Sequence, residues 1–291
     1  MQYQPVPSRP EKAAPGGTVP RTPLLFLLLV PIFSIPFYFL DRHPLLPEGM
    51  LFVSVTSLMV FVPLVLALTF TFKESGWHGV RSHLARALDV HKIKPMLWLL
   101  PALVLLPVAL YLSFLLSRLL GNVEGEATPL WETPGTTLAL FAVLVIFAIA
   151  EELGWMGYAA DPLQERWGTL RASLIITASW AVWHWVPWFR AHDSIGWVFS
   201  MTVVTILLRF LMFWLYNNNR GCVFLTVIFH ASFNVGYRLF PNQGQAYDAT
   251  ATALVLGVIT IVILSIWRPA KWQVRAVPVA DAGRSPGTAA S

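Results

Sequence analysis

Apolar residues run almost unbroken through eight stretches of this chain, near 22–40, 50–71, 95–117, 136–158, 171–189, 196–216, 221–240 and 249–267. At about 1.5 Å of rise per residue, each can cross most or all of about 30 Å of hydrocarbon as a helix. The pattern predicts an all-α fold, a polytopic membrane bundle of about eight transmembrane helices, because only self-satisfied backbone can span lipid. Three of these stretches carry polar side chains that hydrocarbon rejects: Glu151 and Glu152, then His184, then His230 and Asn234. Ionisable groups at membrane depth are costly to hold and mark function by default.

The basic residues give the bundle a direction. Short cytoplasmic loops are enriched in Lys and Arg, and 15 of the 20 fall on the side of the N-terminal tail, the stretch Lys73 to Lys94, Arg166, Arg171, Arg220 and the C-terminal tail. Arg42, Arg118, Arg190 and Arg238 fall on the other side, and Arg209 lies inside the sixth span. Both termini are therefore predicted cytoplasmic. Residues 1–21 and 271–291, rich in Pro, Gly, charge and small polar residues, read as disordered cytoplasmic tails around a transmembrane domain at 22–270. The first span is too long for a signal-peptide core and reads as a retained helix.

Composition agrees with that architecture. The 291 residues are 56% hydrophobic and 12% charged, a profile foreign to soluble enzymes. A cationic face on an anionic leaflet accounts for the basic excess, so nucleic acid is not an expected partner, and membrane lipid is. The single cysteine, Cys222, excludes an intrachain disulfide and any Cys-based metal cluster and reads as a buried small residue. Between the second and third spans, Trp77, Val80, Leu84 and Leu88 alternate with basic residues as in an amphipathic segment on the inner leaflet. His78, His83 and His91 share no helical face and read as solvated. No internal repeat signals an inverted-repeat transporter.

The polar set can converge. Spans four and five form a hairpin with its turn near Trp167 and Gly168, and Glu151 and His184 each lie about sixteen residues from it, at similar depth on neighbouring helices. His230 and Asn234 are four apart and stack on one face. A carboxylate beside an imidazole in a dry pocket can take a proton from water, and an imidazole with an amide can donate to an oxyanion. That division of labour fits peptide hydrolysis without a covalent intermediate, with Glu151 as base and Glu152 in support. The pocket is expected in the middle to cytoplasmic half of the bilayer, facing the cytoplasm. Trp155, Trp180 and Trp188 are candidate substrate contacts. His192, beside Asp193, reads as solvated in an outer turn, and Asp248 stands alone at a span edge.

The runs EELGWMGY at 151–158, WAVWH at 180–184 and HASFN at 230–234 resemble, in order and spacing, the three motifs of the CAAX protease and bacteriocin-processing (CPBP) family, also called the ABI family. The resemblance covers about residues 135–240. It implies an intramembrane peptidase, often labelled a metalloprotease, in which Glu151 and His184 activate water while His230 and Asn234 stabilise the oxyanion. Its substrates would be membrane-associated: prenylated CAAX tails, or bacteriocin-like and pheromone-like peptides. Should zinc take part, Glu151, His184 and His230 would hold it from separate helices. One position departs from the family: Met156 stands where the motif carries Arg. Arg209 is the candidate to replace it, as a buried ion pair with Glu152.

Other intramembrane proteases fit less well, since the chain has no GxSG-like serine, no pair of intramembrane aspartates and no HExxH. Two further classes remain open: a non-catalytic scaffold or immunity protein that keeps the fold, and a proton-coupled transporter.

Overall fold

The computed structural model describes residues 22–39, 55–128, 134–192 and 194–266, all helix or short connection. Eight α-helices follow in order among them: α1 (Pro23–Phe39), α2 (Val62–Ala85), α3 (Leu99–Leu119), α4 (Pro134–Glu152), α5 (Ala160–Ala191), α6 (Ile195–Asn218), α7 (Val223–Gly236) and α8 (Ala249–Ile266). A π-helical turn, Leu153–Ala159, joins α4 to α5 without a break. The chain is an integral membrane helical bundle. Among the described residues five helical stretches are long and apolar enough to cross a bilayer, and the longest, Pro134–Ala191, folds back on itself, while Pro23–Phe39 and Val223–Leu239 are shorter. The expected tails at 1–21 and 271–291, Arg42 and Asp193 lie outside the described residues.

Two glycines set the course of the chain. Gly168, at φ 76° and ψ 165°, reverses it inside α5, where the hairpin turn is expected. Gly76, at φ 60° and ψ −158°, separates the apolar first part of α2 from its basic second part. These are backbone conformations that side-chain-bearing residues rarely adopt.

Prolines do the joining between α1 and α5. Pro31 has no N–H to give Leu27, and the freed Leu27 carbonyl accepts instead from Ser179 Oγ at 2.6 Å. Pro187 likewise frees Trp183, whose carbonyl accepts from Tyr38 Oη at 2.7 Å. Helix-breaking residues thus become interhelical hydrogen bonds, which lipid demands of any carbonyl left open.

The centre of the bundle is α7, packed between α3, α4 and α6. It is buried along nearly its whole length, whereas Leu28 on α1, Phe199 on α6 and Ile261 on α8 point outward, as a lipid-facing surface allows. Asp248 starts α8: its carboxylate accepts from the backbone of Thr250 and Ala251, and from Ser117 Oγ at 2.6 Å, tying α8 to α3.

Packing is tight where the π turn begins. A Cβ on Gly154 would sit 2.7 Å from Pro63 Cβ and 3.0 Å from the Phe26 ring and the Pro63 carbonyl oxygen. Gly154→Ala is therefore expected to destabilise the fold by about 1–3 kcal/mol, read as a lower midpoint in detergent denaturation, because backbone there cannot retreat.

Candidate active site

The π turn starts immediately after Glu152, and its wider coil leaves carbonyls without their usual partners. Two side chains of the segment after Gly76 satisfy them: His83 Nε2 meets the Leu153 oxygen at 3.0 Å, and Arg86 donates to the Gly157 oxygen. Arg86 also reaches Tyr216 and Asp161, joining the turn to the end of α6. Three residues further on, Asp89 receives the Phe224 and Val223 backbone N–H groups at 3.0 and 3.3 Å, capping α7 from another part of the chain. One segment therefore fixes both the helix carrying the two glutamates and the helix carrying His230 and Asn234.

This corrects the expected solvated inner-leaflet helix. Trp77, Leu84 and Leu88 are exposed as an amphipathic segment requires, but His83 and Asp89 are buried and engaged, and the chain turns after Ala85 in short 3₁₀ steps. Sequence reading missed Arg86 and Asp89 because a charge between spans normally belongs to solvent; no local pattern shows that Asp89 faces a helix start 134 residues away. Asp89→Ala is expected to cost about 0.5–2 kcal/mol in unfolding experiments, with Asp89→Asn recovering part of it, since an amide oxygen can still accept from α7.

At the level of the glutamates the polar residues meet. Glu152 is fully buried and divided between two partners, Arg209 Nη1 at 2.8 Å on one oxygen and His230 Nδ1 at 3.0 Å on the other. Arg209, equally buried, lays its guanidinium over the Trp180 ring at 4.3 Å. It stands where a charge is required, since Met156 is an apolar core residue. Glu151 accepts from Trp180 Nε1 at 2.9 Å. Trp180 also packs edge-on against His184 and His230, both with ring centroids at 5.4 Å, so this one indole touches every member of the set except Glu152 and Asn234.

The imidazoles have defined faces. His184 Nδ1 lies 2.8 Å from the Trp180 carbonyl, which only accepts, so Nδ1 carries a proton, and in the neutral tautomer this contact selects, Nε2 is the lone pair. His230 Nδ1 donates to a carboxylate, which fixes that ring and turns its Nε2 away from Glu152. Asn234, one turn beyond His230, is half-buried and makes no side-chain hydrogen bond among the described residues. No direct hydrogen bond joins Glu151 to His184.

Two expectations change. Trp155 is fully buried against Phe26 and Trp183, a packing residue with no face for substrate. His192 is not simply solvated; it stacks on Trp197 with centroids 3.6 Å apart. Among the described residues no group of three His, Cys, Asp or Glu side chains is already gathered at metal-binding distance. Trp188, half-buried and stacked on His184 at 5.1 Å, does lie beside the cluster.

Carboxylates and imidazoles gathered at the buried centre of a membrane bundle mark a functional site. Residues 133–236, which contain all three motifs, match the family model described as type II CAAX prenyl endopeptidase Rce1-like. No curated protein matches the chain.

Proposed function

We propose that this protein is an intramembrane endopeptidase that cleaves a membrane-associated peptide with a water activated by Glu151. The observation that carries the reading is the division of the two adjacent glutamates. Glu152 is committed to Arg209 and His230, while Glu151 has one neutral donor, Trp180, and keeps its second oxygen for other work. A carboxylate held by a single indole remains basic enough to take a proton.

In the proposed reaction, water between Glu151 and His184 Nε2 gives its proton to Glu151 as its oxygen attacks the peptide carbonyl carbon. The charge on the carbonyl oxygen is met by hydrogen bonds from Asn234 and from His230, which acts as an imidazolium paired with Glu152. The tetrahedral centre then collapses, the C–N bond breaks, and the proton on Glu151 passes to the departing amine. The products are a carboxylic acid, which ionises once it reaches water, and an amine.

Asn234 provides a direct test because it supports nothing else. Asn234→Ala is expected to lower kcat about 10²–10³-fold with the thermal midpoint unchanged, assayed on lipid-anchored peptides in detergent or proteoliposomes. Full activity in that variant would remove the amide from the mechanism.

A further inference from the structure

We propose that residues 77–95, between α2 and α3, bind the anionic phospholipids of the leaflet they lie against, and that headgroup binding there sets the geometry of the glutamate and histidine site. The binding stands on its own observations; its effect on turnover rests on the peptidase reading.

The segment has two unlike faces. After Gly76 breaks α2, Val80, His83 and Ala87 follow at helical spacing and are buried, and Asp89 and Ile93 continue the buried side through the 3₁₀ steps. Trp77, Arg81, Leu84 and Leu88 form a second stripe at helical spacing, and all four are exposed. Trp77 and Leu88 are each 69% exposed, and Leu97, just past the segment, is 70% exposed. Water does not favour so much bare apolar surface, and hydrocarbon rejects Arg81 and Lys94. A bilayer interface accepts both, with the indole and leucines at the acyl boundary and the cations among the headgroups.

The exposed charge of this segment is cationic. Asp89 is buried and taken up by Lys92 and the start of α7, while Arg81 and Lys94 are exposed, with Lys73 just before them. Arg86 and Lys92 both reach the Gly221 carbonyl, and Arg86 pairs with Asp161. These contacts bring the α5 hairpin and the connection from α6 to α7 to the same end of the bundle, where Arg166, Arg171 and Arg220 are exposed as well. The phosphodiester of an anionic lipid is the complement that a leaflet supplies to such a surface.

The buried side gives binding a consequence. His83 and Arg86 meet the Leu153 and Gly157 carbonyls of the π turn, and Asp89 receives the first N–H groups of α7. Leu84 follows His83 in the chain and Leu88 precedes Asp89, so lipid that draws the outer stripe into the interface orders the same backbone whose inner side clamps the helices of Glu151 and His230. A ligand that favours the ordered arrangement shifts the population toward it.

Two measurements on the full chain test this. In vesicles, the emission of Trp77, taken as wild type minus Trp77→Phe, is expected to be quenched more by brominated phosphatidylglycerol than by brominated phosphatidylcholine; equal quenching would overturn the lipid preference. With a neutral lipid-anchored peptide, turnover is expected to rise several-fold when phosphatidylglycerol is mixed into phosphatidylcholine proteoliposomes, and high salt is expected to reduce the rise. Arg81→Gln combined with Lys94→Gln is expected to abolish it. Arg166→Gln combined with Arg171→Gln removes the same charge from the hairpin turn and is expected to preserve it. Turnover indifferent to phosphatidylglycerol would overturn the coupling, and a rise lost equally in both pairs, or surviving in the first, would overturn its assignment to this segment. Quenching needs no hydrolysis, so a fully active Glu151→Gln variant would sink the peptidase reading while the lipid preference stood.

Discussion

Glu151→Gln is expected to lower peptide hydrolysis about 10²–10⁴-fold while leaving the bundle folded. The side chain keeps its shape, and the amide oxygen can still accept from Trp180 Nε1, the one hydrogen bond the carboxylate makes. What disappears is the base. A glutamine cannot take the proton that water must lose as it attacks, and Glu152, held by Arg209 and His230, does not replace it. The expected signature is a fall in kcat with little change in KM, because binding is left to surfaces the substitution does not touch. The same variant separates the rival classes. A scaffold or immunity protein would keep its phenotype with Gln at 151, and a hydrolase would lose it.

Arg209→Met is expected to destabilise the protein by about 3–5 kcal/mol, the usual consequence of leaving a buried charge without its partner. Both groups of the Arg209–Glu152 pair are fully shielded from solvent, so water cannot take over when the guanidinium is lost. Adding Glu152→Gln to Arg209→Met removes the stranded charge, and most of the lost stability should return in a detergent denaturation series. Activity should not return with it. Glu152 also fixes His230 at 3.0 Å, and a neutral amide cannot hold an imidazolium in the way a carboxylate does. Stability and catalysis would then separate within one double-mutant series, and an unaltered denaturation midpoint in Arg209→Met would show that the pair carries no weight. Arg209→Lys is expected to fall between, since a point charge on a flexible stem replaces neither the planar fork nor its stacking on Trp180.

Neighbouring residues show how differently sequence and fold divide the information. The spans were legible because a bilayer imposes one simple rule, a long apolar run with internally satisfied backbone, and most described helices follow the expected boundaries within a few residues, while α2 runs on to Ala85 past an expected end at 71 and α5 begins at Ala160 instead of 171. The hairpin turn at Gly168 was legible for a similar reason, since it interrupts a run too long for one crossing. Asp89 and Arg86 were not. As letters they are charges between spans, and only the packing of their segment beneath the π turn takes them out of solvent. Trp155 and Trp180 make the same contrast within one motif region. Both looked like substrate contacts, yet one is sealed into the core and the other holds Glu151.

The amino-acid sequence by itself determined that this chain is a membrane helical bundle, where most of its helices lie, which few polar groups enter hydrocarbon, and which loops are basic. Those properties follow from transfer free energies and helical periodicity, which act along the chain. Tertiary structure decided which of the two glutamates is committed to a partner, which side of each imidazole is free, and what clamps the helices that carry them. These depend on contacts between residues tens to more than a hundred positions apart, and no local pattern of residues encodes a distance between two helices.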